Sequence, residues 1–220
     1  MNKIFSLFIV LSLFASCKKS GSGTAELYMN FNAGSTWNYQ QVNTAPTPST
    51  TNYTVTSTNR DTTIVGKKYH VFTNSGGGNQ YYNNTGNDYF QFDSIKLATV
   101  AQSIDRLYLK DNAALNSTWA QSISFNLSGV PVPIPLTITN TITETGISKT
   151  VNNIVYANVI HVQTTLTSTL IPAASLTSTI NTYYARKYGL IENSTVIALN
   201  FSGFMNNVNT TTKLMSSNLL

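Results

Sequence analysis

Two stretches decide the fold: Ile134-Pro135-Leu136-Thr137-Ile138-Thr139-Asn140-Thr141-Ile142-Thr143-Glu144, and the thirteen residues from Asn158 to Leu170, NVIHVQTTLTSTL. In the first, Ile134, Leu136, Ile138 and Ile142 fall on one side of a two-residue repeat, with Thr137, Thr139, Thr141 and Thr143 on the other. In the second, Val162, Thr164, Leu166, Ser168 and Leu170 share a face, opposite Gln163, Thr165, Thr167 and Thr169. A period of two is the signature of a β-strand with one face turned inward. At about 3.3 Å per residue the second stretch would reach roughly 43 Å, against about 17–20 Å for an ordinary strand. Strands of that length suit a strongly curled sheet.

The same alternation recurs on either side. Thr62–Val65 and Lys68–Phe72 flank Gly66-Lys67 as a hairpin, and Gln80–Asn83 and Asp88–Phe92 flank Asn84-Thr85-Gly86-Asn87 as another. Ser75-Gly76-Gly77-Gly78-Asn79 reads as the loop between them. Arg106–Leu109, Ile123–Leu127, Ile180–Tyr184, Val196–Phe201 and Val208–Leu214 add further strands, and Pro131, Pro133 and Pro135 place the entrance of the first long strand at an edge or in a loop. Short helices are expected only near Ser94–Gln102 and Ala113–Leu115. The expectation is an all-β domain of about ten to thirteen strands by this pattern: a single antiparallel, half-barrel-like sheet, with a β-sandwich as the alternative.

Composition agrees. Thr, Asn and Ser together make 81 of the 220 residues, aromatics 11% and charged residues only 10%, which excludes coiled coils and argues against disorder. The formal charge is +5, but Lys3, Lys18 and Lys19 lie at the extreme N-terminus and the other basic residues are scattered. A nucleic-acid partner, which calls for a concentrated basic face, is not expected.

Met1-Asn2-Lys3 followed by the apolar run Ile4–Ala15 is too short to span a bilayer and has the form of a secretory signal. The chain's single cysteine, Cys17, stands where such a signal would be cut. Phe14-Ala15-Ser16-Cys17 resembles the lipobox of bacterial lipoproteins, with Phe14 in place of the usual aliphatic residue. The resemblance implies a signal peptide over 1–16, lipid attachment at Cys17, a flexible tether to residue 26, and one domain over 27–220. Lys18 after the cysteine implies outer-membrane sorting, and the absence of an acidic patch there implies a periplasm-facing protein. One thiol in an exported chain leaves no internal disulfide.

Tyr28–Tyr39, with its Gly34-x-x-Trp37-x-Tyr39 core, resembles the opening motif of a family of uncharacterised Gram-negative lipoproteins, with Asn30 where the family has Pro. Asp61–Tyr69 resembles the family's D-T-x-I-x-G-K-x-Y hairpin. Tyr183–Ile191 resembles its late aromatic segment, with Lys187 replacing a Gly. The resemblance implies a curved sheet similar to the half-barrel of periplasmic lipoprotein carriers, or a sandwich, and no catalytic residues. Gly34, Gly66 and Gly189 fall where turns require positive φ, and Trp37 and Tyr39 share a face expected to enter the core. Asp61-Thr62-Thr63 and Asp93-Ser94-Ile95 resemble a short O-glycosylation sequon used in some Gram-negative envelopes.

Nucleophile-elbow, zincin, C-x-x-C and phosphate-loop motifs are absent from the sequence. His70 and His161, the only histidines, lie in strands without metal- or triad-like spacing, so they are read as exposed or satisfied strand residues. The chain is therefore expected to be no enzyme and to need no cofactor or metal. The function expected is that of a lipid-anchored envelope binding or interaction protein, its partners the membrane through its lipid and a hydrophobic ligand, a glycan or an envelope protein. Candidate binding residues are Tyr81, Tyr82, Tyr89 and Phe90 in the aromatic hairpin, and Thr164 and Ser168 as small polar positions facing inward on the second long strand. In the carrier reading a cleft opens between the two long strands. In the structural reading, as an envelope protein or a glycan-binding module without an internal ligand, the same face is filled by the protein's own side chains.

Overall fold

The computed structural model describes residues 26–97, 100–127 and 130–220. The expected signal peptide, Cys17 and nearly all of the tether lie outside them. The described residues form twelve strands: β1 (Thr36–Ala45), β2 (Ser49–Ile64), β3 (Lys67–Asn74), β4 (Asn79–Thr85), β5 (Asp88–Leu97), β6 (Val100–Lys110), β7 (Thr118–Phe125), β8 (Ile134–Val151), β9 (Ile154–Thr167), β10 (Leu176–Ala185), β11 (Gly189–Phe201) and β12 (Phe204–Asn218). They make one antiparallel sheet in the order β6-β5-β4-β3-β2-β1-β12-β11-β10-β9-β8-β7, nearly closed into a barrel. The single antiparallel, strongly curved sheet is therefore the observed fold.

Every strand pairs with its neighbour in sequence except β6 and β7, while the first and last strands pair from Thr36↔Asn218 to Ala45↔Asn209. The barrel is thus joined at its termini and slit in its middle. Side chains close that slit. Gln121 of β7 accepts from the Leu107 N–H at 2.8 Å and donates to the Asp105 carbonyl at 2.9 Å, so its amide stands in for a peptide group of a missing ladder. The Trp119 indole N–H donates to the Leu107 carbonyl at 2.8 Å.

Two sequence expectations are corrected. The helix near Ser94–Gln102 is instead the turn-proximal part of the β5–β6 hairpin, paired from Asp88↔Lys110 to Leu97↔Val100. Ile95 and Val100 pack with one apolar cluster, so the segment is held by sheet packing that outweighs local propensity. Ala113–Leu115 is turn and irregular backbone with no helix. The two long strands are real but shifted: β8 runs on to Val151, and β9 begins at Ile154 and ends at Thr167.

At the end of the barrel where β1 starts and β12 finishes, residues 26–32 cross as a strap. The Tyr28 N–H donates to the Tyr89 hydroxyl at 3.1 Å, the Lys187 N–H donates to the Leu27 carbonyl at 2.8 Å, and Tyr28 and Met29 are buried. Two glycines of the motif segments make room for this end. Gly34 (φ +89°) would place a Cβ 2.8 Å from Leu220 Cδ1, and Gly189 (φ +69°) would place one 3.0 Å from Met29 Sδ and 3.3 Å from the Tyr28 carbonyl.

Candidate functional site

The face proposed for a ligand between the long strands is closed. β8 and β9 are hydrogen-bonded neighbours from Thr137↔Thr167 to Val151↔Ile154, so no cleft separates them. Ile134 and Leu136 pack with Phe125, Leu127, Leu176 and Leu199 in a buried aliphatic–aromatic cluster at the opposite end of the barrel from the strap. The expectation of an open cleft there is overturned because the two strands are ladder partners, and their inward side chains pack into this cluster.

Open space lies elsewhere inside the sheet. A half-enclosed cavity of about 290 Å³ is walled by inward-facing residues of eight strands. The period of two is visible in the lining: Trp37 and Tyr39 of β1, Tyr53 and Val55 of β2, Gln80 and Tyr82 of β4. Arg106 and Tyr108 come from β6 and Asn193 and Thr195 from β11, again two apart, while Thr182 and Tyr184 of β10 face them and Met29 of the strap contributes at one end.

Six rings line the wall, those of Trp37, Tyr39, Tyr53, Tyr82, Tyr108 and Tyr184. Tyr39 stacks on Tyr53 with centroids 5.4 Å apart, and Tyr108 sits 6.0 Å from Tyr82 and 5.3 Å from Tyr184. Burial pushes the Tyr39, Tyr82 and Tyr108 phenols well above their ordinary range, and Tyr184 is pushed up to about 12 for the same reason. These hydroxyls are neutral dipoles at any physiological pH. Tyr39 donates to the Leu190 carbonyl at 2.9 Å, and the Asn193 amide donates to Thr182 Oγ1 at 2.9 Å. The Arg106 guanidinium donates to Gln91 Oε1 at 2.6 Å, and its Nε–H has no protein acceptor. The Trp37 indole N–H is likewise buried and unpaired.

Of the residues singled out from sequence, Tyr82 lines this cavity. Tyr89 is fully buried beneath the strap and donates to Asp111 Oδ2 at 3.0 Å. Phe90 lies on the opposite face of its strand pair, with the Lys67 ammonium 2.9 Å from its ring centroid, and Tyr81 pairs with Phe92 on that same outer side. Thr164 is buried and donates to Asn140 Oδ1 at 2.6 Å, and Ser168 lies past the end of β9, accepting from the Leu170 N–H. The structure does not bring the six together. The cavity residues that sequence reasoning passed over, Arg106, Gln80 and Asn193 foremost, carry one signal: polar residues at inward positions of apolar strands.

Both histidines are hydrogen-bonded at both nitrogens. His161 has Nδ1 3.0 Å from Glu144 Oε2 and Nε2 3.0 Å from Asn181 Oδ1, and its ring stacks on Tyr183 at 4.1 Å. His70 has Nδ1 2.9 Å from Asp61 Oδ1 and Nε2 2.9 Å from Ser57 Oγ, the order of groups in a Ser-His-Asp relay. A register shift between Ser57 and Asp61 in the β2–β3 ladder brings both side chains to one histidine, and sequence spacing alone does not reveal it. Its serine is buried beneath the strap. Ser57 is 1% exposed, its hydroxyl lies 3.1 Å from the Phe31 carbonyl, and the Phe31 ring sits edge-on to His70 at 5.6 Å. It fastens the strap to the barrel wall.

Among the described residues no three His, Cys, Asp or Glu side chains gather as metal ligands would. No family model matches the chain, and no curated protein matches it. The fold is similar to the crystal structure at 2.70 Å of a "putative lipoprotein" from Parabacteroides distasonis, with 10% identity, a TM-score of 0.48, and coverage of 89% of this chain and all of that one.

Proposed function

We propose that this chain is a lipid-anchored envelope protein that binds a small molecule inside its barrel. The observation that carries the reading is the half-enclosed cavity of about 290 Å³, walled by tyrosines and by convergent polar side chains, in a barrel whose other end holds a cluster of buried apolar residues. Ligand sites are concave and combine rings with polar groups that fix orientation, and the polar share of this wall points to a polar ligand. A lipid-like ligand fits less well than a polar, ring-bearing one, since an acyl chain would bury the Arg106 guanidinium, whose Nε–H has no protein acceptor, against a partner that offers none.

The anchor is the sequence-derived part of the proposal. With lipid on Cys17, nine residues of tether reach at most about 30 Å, so the strap at residue 26 stays within that distance of the bilayer. The setting is the outer membrane, facing the periplasm. The protein acts as a binder and not as an enzyme, in keeping with the buried serine of the His70 relay. Cys17→Ala should abolish incorporation of labelled fatty acid; continued lipid labelling would contradict the anchor. For binding, a ligand-observed NMR fragment screen on the full chain in detergent should return compounds that are lost in Thr195→Phe, which fills the cavity. Compounds that bind that variant equally well would place binding elsewhere.

A further inference from the structure

We infer that the ligand of this cavity carries a carboxylate, held by Arg106, on a small ring-shaped body packed against the tyrosines. The inference rests on the cavity being the binding site. Arg106 is the single ionised side chain among the residues that line the cavity. A guanidinium offers five N–H donors in a fixed fork. Here one of them reaches a neutral acceptor, Gln91 Oε1, and the Nε–H has none. The nearest carboxylate, Asp93 Oδ2, is 3.7 Å from Nη2, longer than a hydrogen bond, on a side chain that is 43% exposed and outside the cavity lining. The positive charge therefore enters the wall under-satisfied. A carboxylate presents two oxygens at the spacing of the fork and is the group that such a donor set recognises best.

The surroundings fix the rest of the ligand. Tyr82 and Tyr108 rise beside Arg106, and Tyr184 continues the wall. Their faces favour a flat or ring-shaped body, an aromatic acid or a sugar acid, over a flexible chain. The backbone that bears Arg106 is held firmly. Its neighbour Leu107 is gripped on both N–H and carbonyl by Gln121 and Trp119 across the slit. An anchoring residue on a strand fixed in this way keeps its geometry when the ligand leaves.

Isothermal titration of the full chain in detergent, with two matched pairs, tests the inference: benzoate against benzamide, and glucuronate against glucose. In at least one pair the acid should bind about tenfold or more tighter than its neutral partner, as expected for a charge-assisted anchor. Arg106→Gln should erase that preference, bringing the acid's affinity to that of its neutral partner. Asp93→Asn, which removes the competing carboxylate, should strengthen the acid. Equal binding of acid and neutral partner, or a preference that survives Arg106→Gln, overturns the carboxylate assignment and leaves the cavity reading intact. If no probe binds either the wild type or the variants, the assignment fails together with the cavity reading.

Discussion

The two ends of this barrel are built from the same strands and behave as different materials. β10 gives Leu176 to the packed end and Thr182 and Tyr184 to the cavity; β11 gives Leu199 to the one and Asn193 and Thr195 to the other. Aliphatic side chains accept any neighbour of suitable shape, so the packed end closes by interdigitation. Threonine, asparagine and tyrosine need partners at set distances and directions, and satisfying them holds the walls apart. A barrel can keep an internal chamber simply by changing the chemistry of its inward positions partway along each strand.

The largest effect should come from breaking the packed end. Phe125 is fully buried there, and Phe125→Ala is expected to cost about 3–5 kcal/mol in urea unfolding. A loss below about 1 kcal/mol would mean that this end is no better packed than the chamber.

The chamber should respond to alkali, which leaves the aliphatic end indifferent. Tyr184 has its pKa raised to about 12 from 10.0 by burial. The folded state therefore favours the neutral phenol. The stabilisation is complete below pH 10 and is lost as pH rises from about 10 towards 12, amounting to about 3 kcal/mol for this one group. Chemical denaturation at pH 9 and pH 11.5 should show the loss, and Tyr184→Phe should reduce it. An unchanged difference between the two pH values in that variant would remove Tyr184 from the account.

A smaller effect is expected at the slit, where neither material is at work. Gln121→Ala leaves the Leu107 N–H and the Asp105 carbonyl without partners, at a cost of about 1–3 kcal/mol. Hydrogen exchange at the Leu107 amide should accelerate, with little change at Tyr39. Uniform acceleration through the sheet would mean that the slit is no separate unit.

The smallest effect sharpens the comparison from the chamber side. Tyr82→Phe removes one hydrogen bond of 3.3 Å to Gln80 and should cost about 1 kcal/mol or less. A loss as large as that of Phe125→Ala would show that the chamber wall carries the fold as much as the packed end does.

The packed end was legible in the sequence because its alternation is local: Ile134 and Leu136 alternate with Pro135 and Thr137 within one strand. The sixteen-residue β2 was not, since Thr50, Thr51, Asn52, Thr54 and Thr56 are polar on both faces and only Tyr53 and Val55 mark its inner side. The cleft expected between the long strands failed for a reason that no alternation pattern contains, namely that the two are ladder partners. The chamber was the least legible part. Tyr82 was singled out, but Arg106 comes beside it through the registers of two successive hairpins, Tyr82↔Gln91 and Gln91↔Arg106, and Asn193 only through closure of the sheet. The relay of Ser57, His70 and Asp61 was hidden in the same way, by a shift in the β2–β3 ladder.

The central claim is that a chamber persists inside the barrel, beside the buried cluster around Phe125. A high-resolution crystal structure of the mature chain tests it most directly. The account predicts ordered water or retained ligand in the space bounded by Tyr39, Tyr82, Arg106 and Tyr184, with the Tyr108 ring between Tyr82 and Tyr184. A structure in which Arg106 and Tyr82 fold inward and fill that space, leaving a core as solid as the Phe125 end, would contradict it.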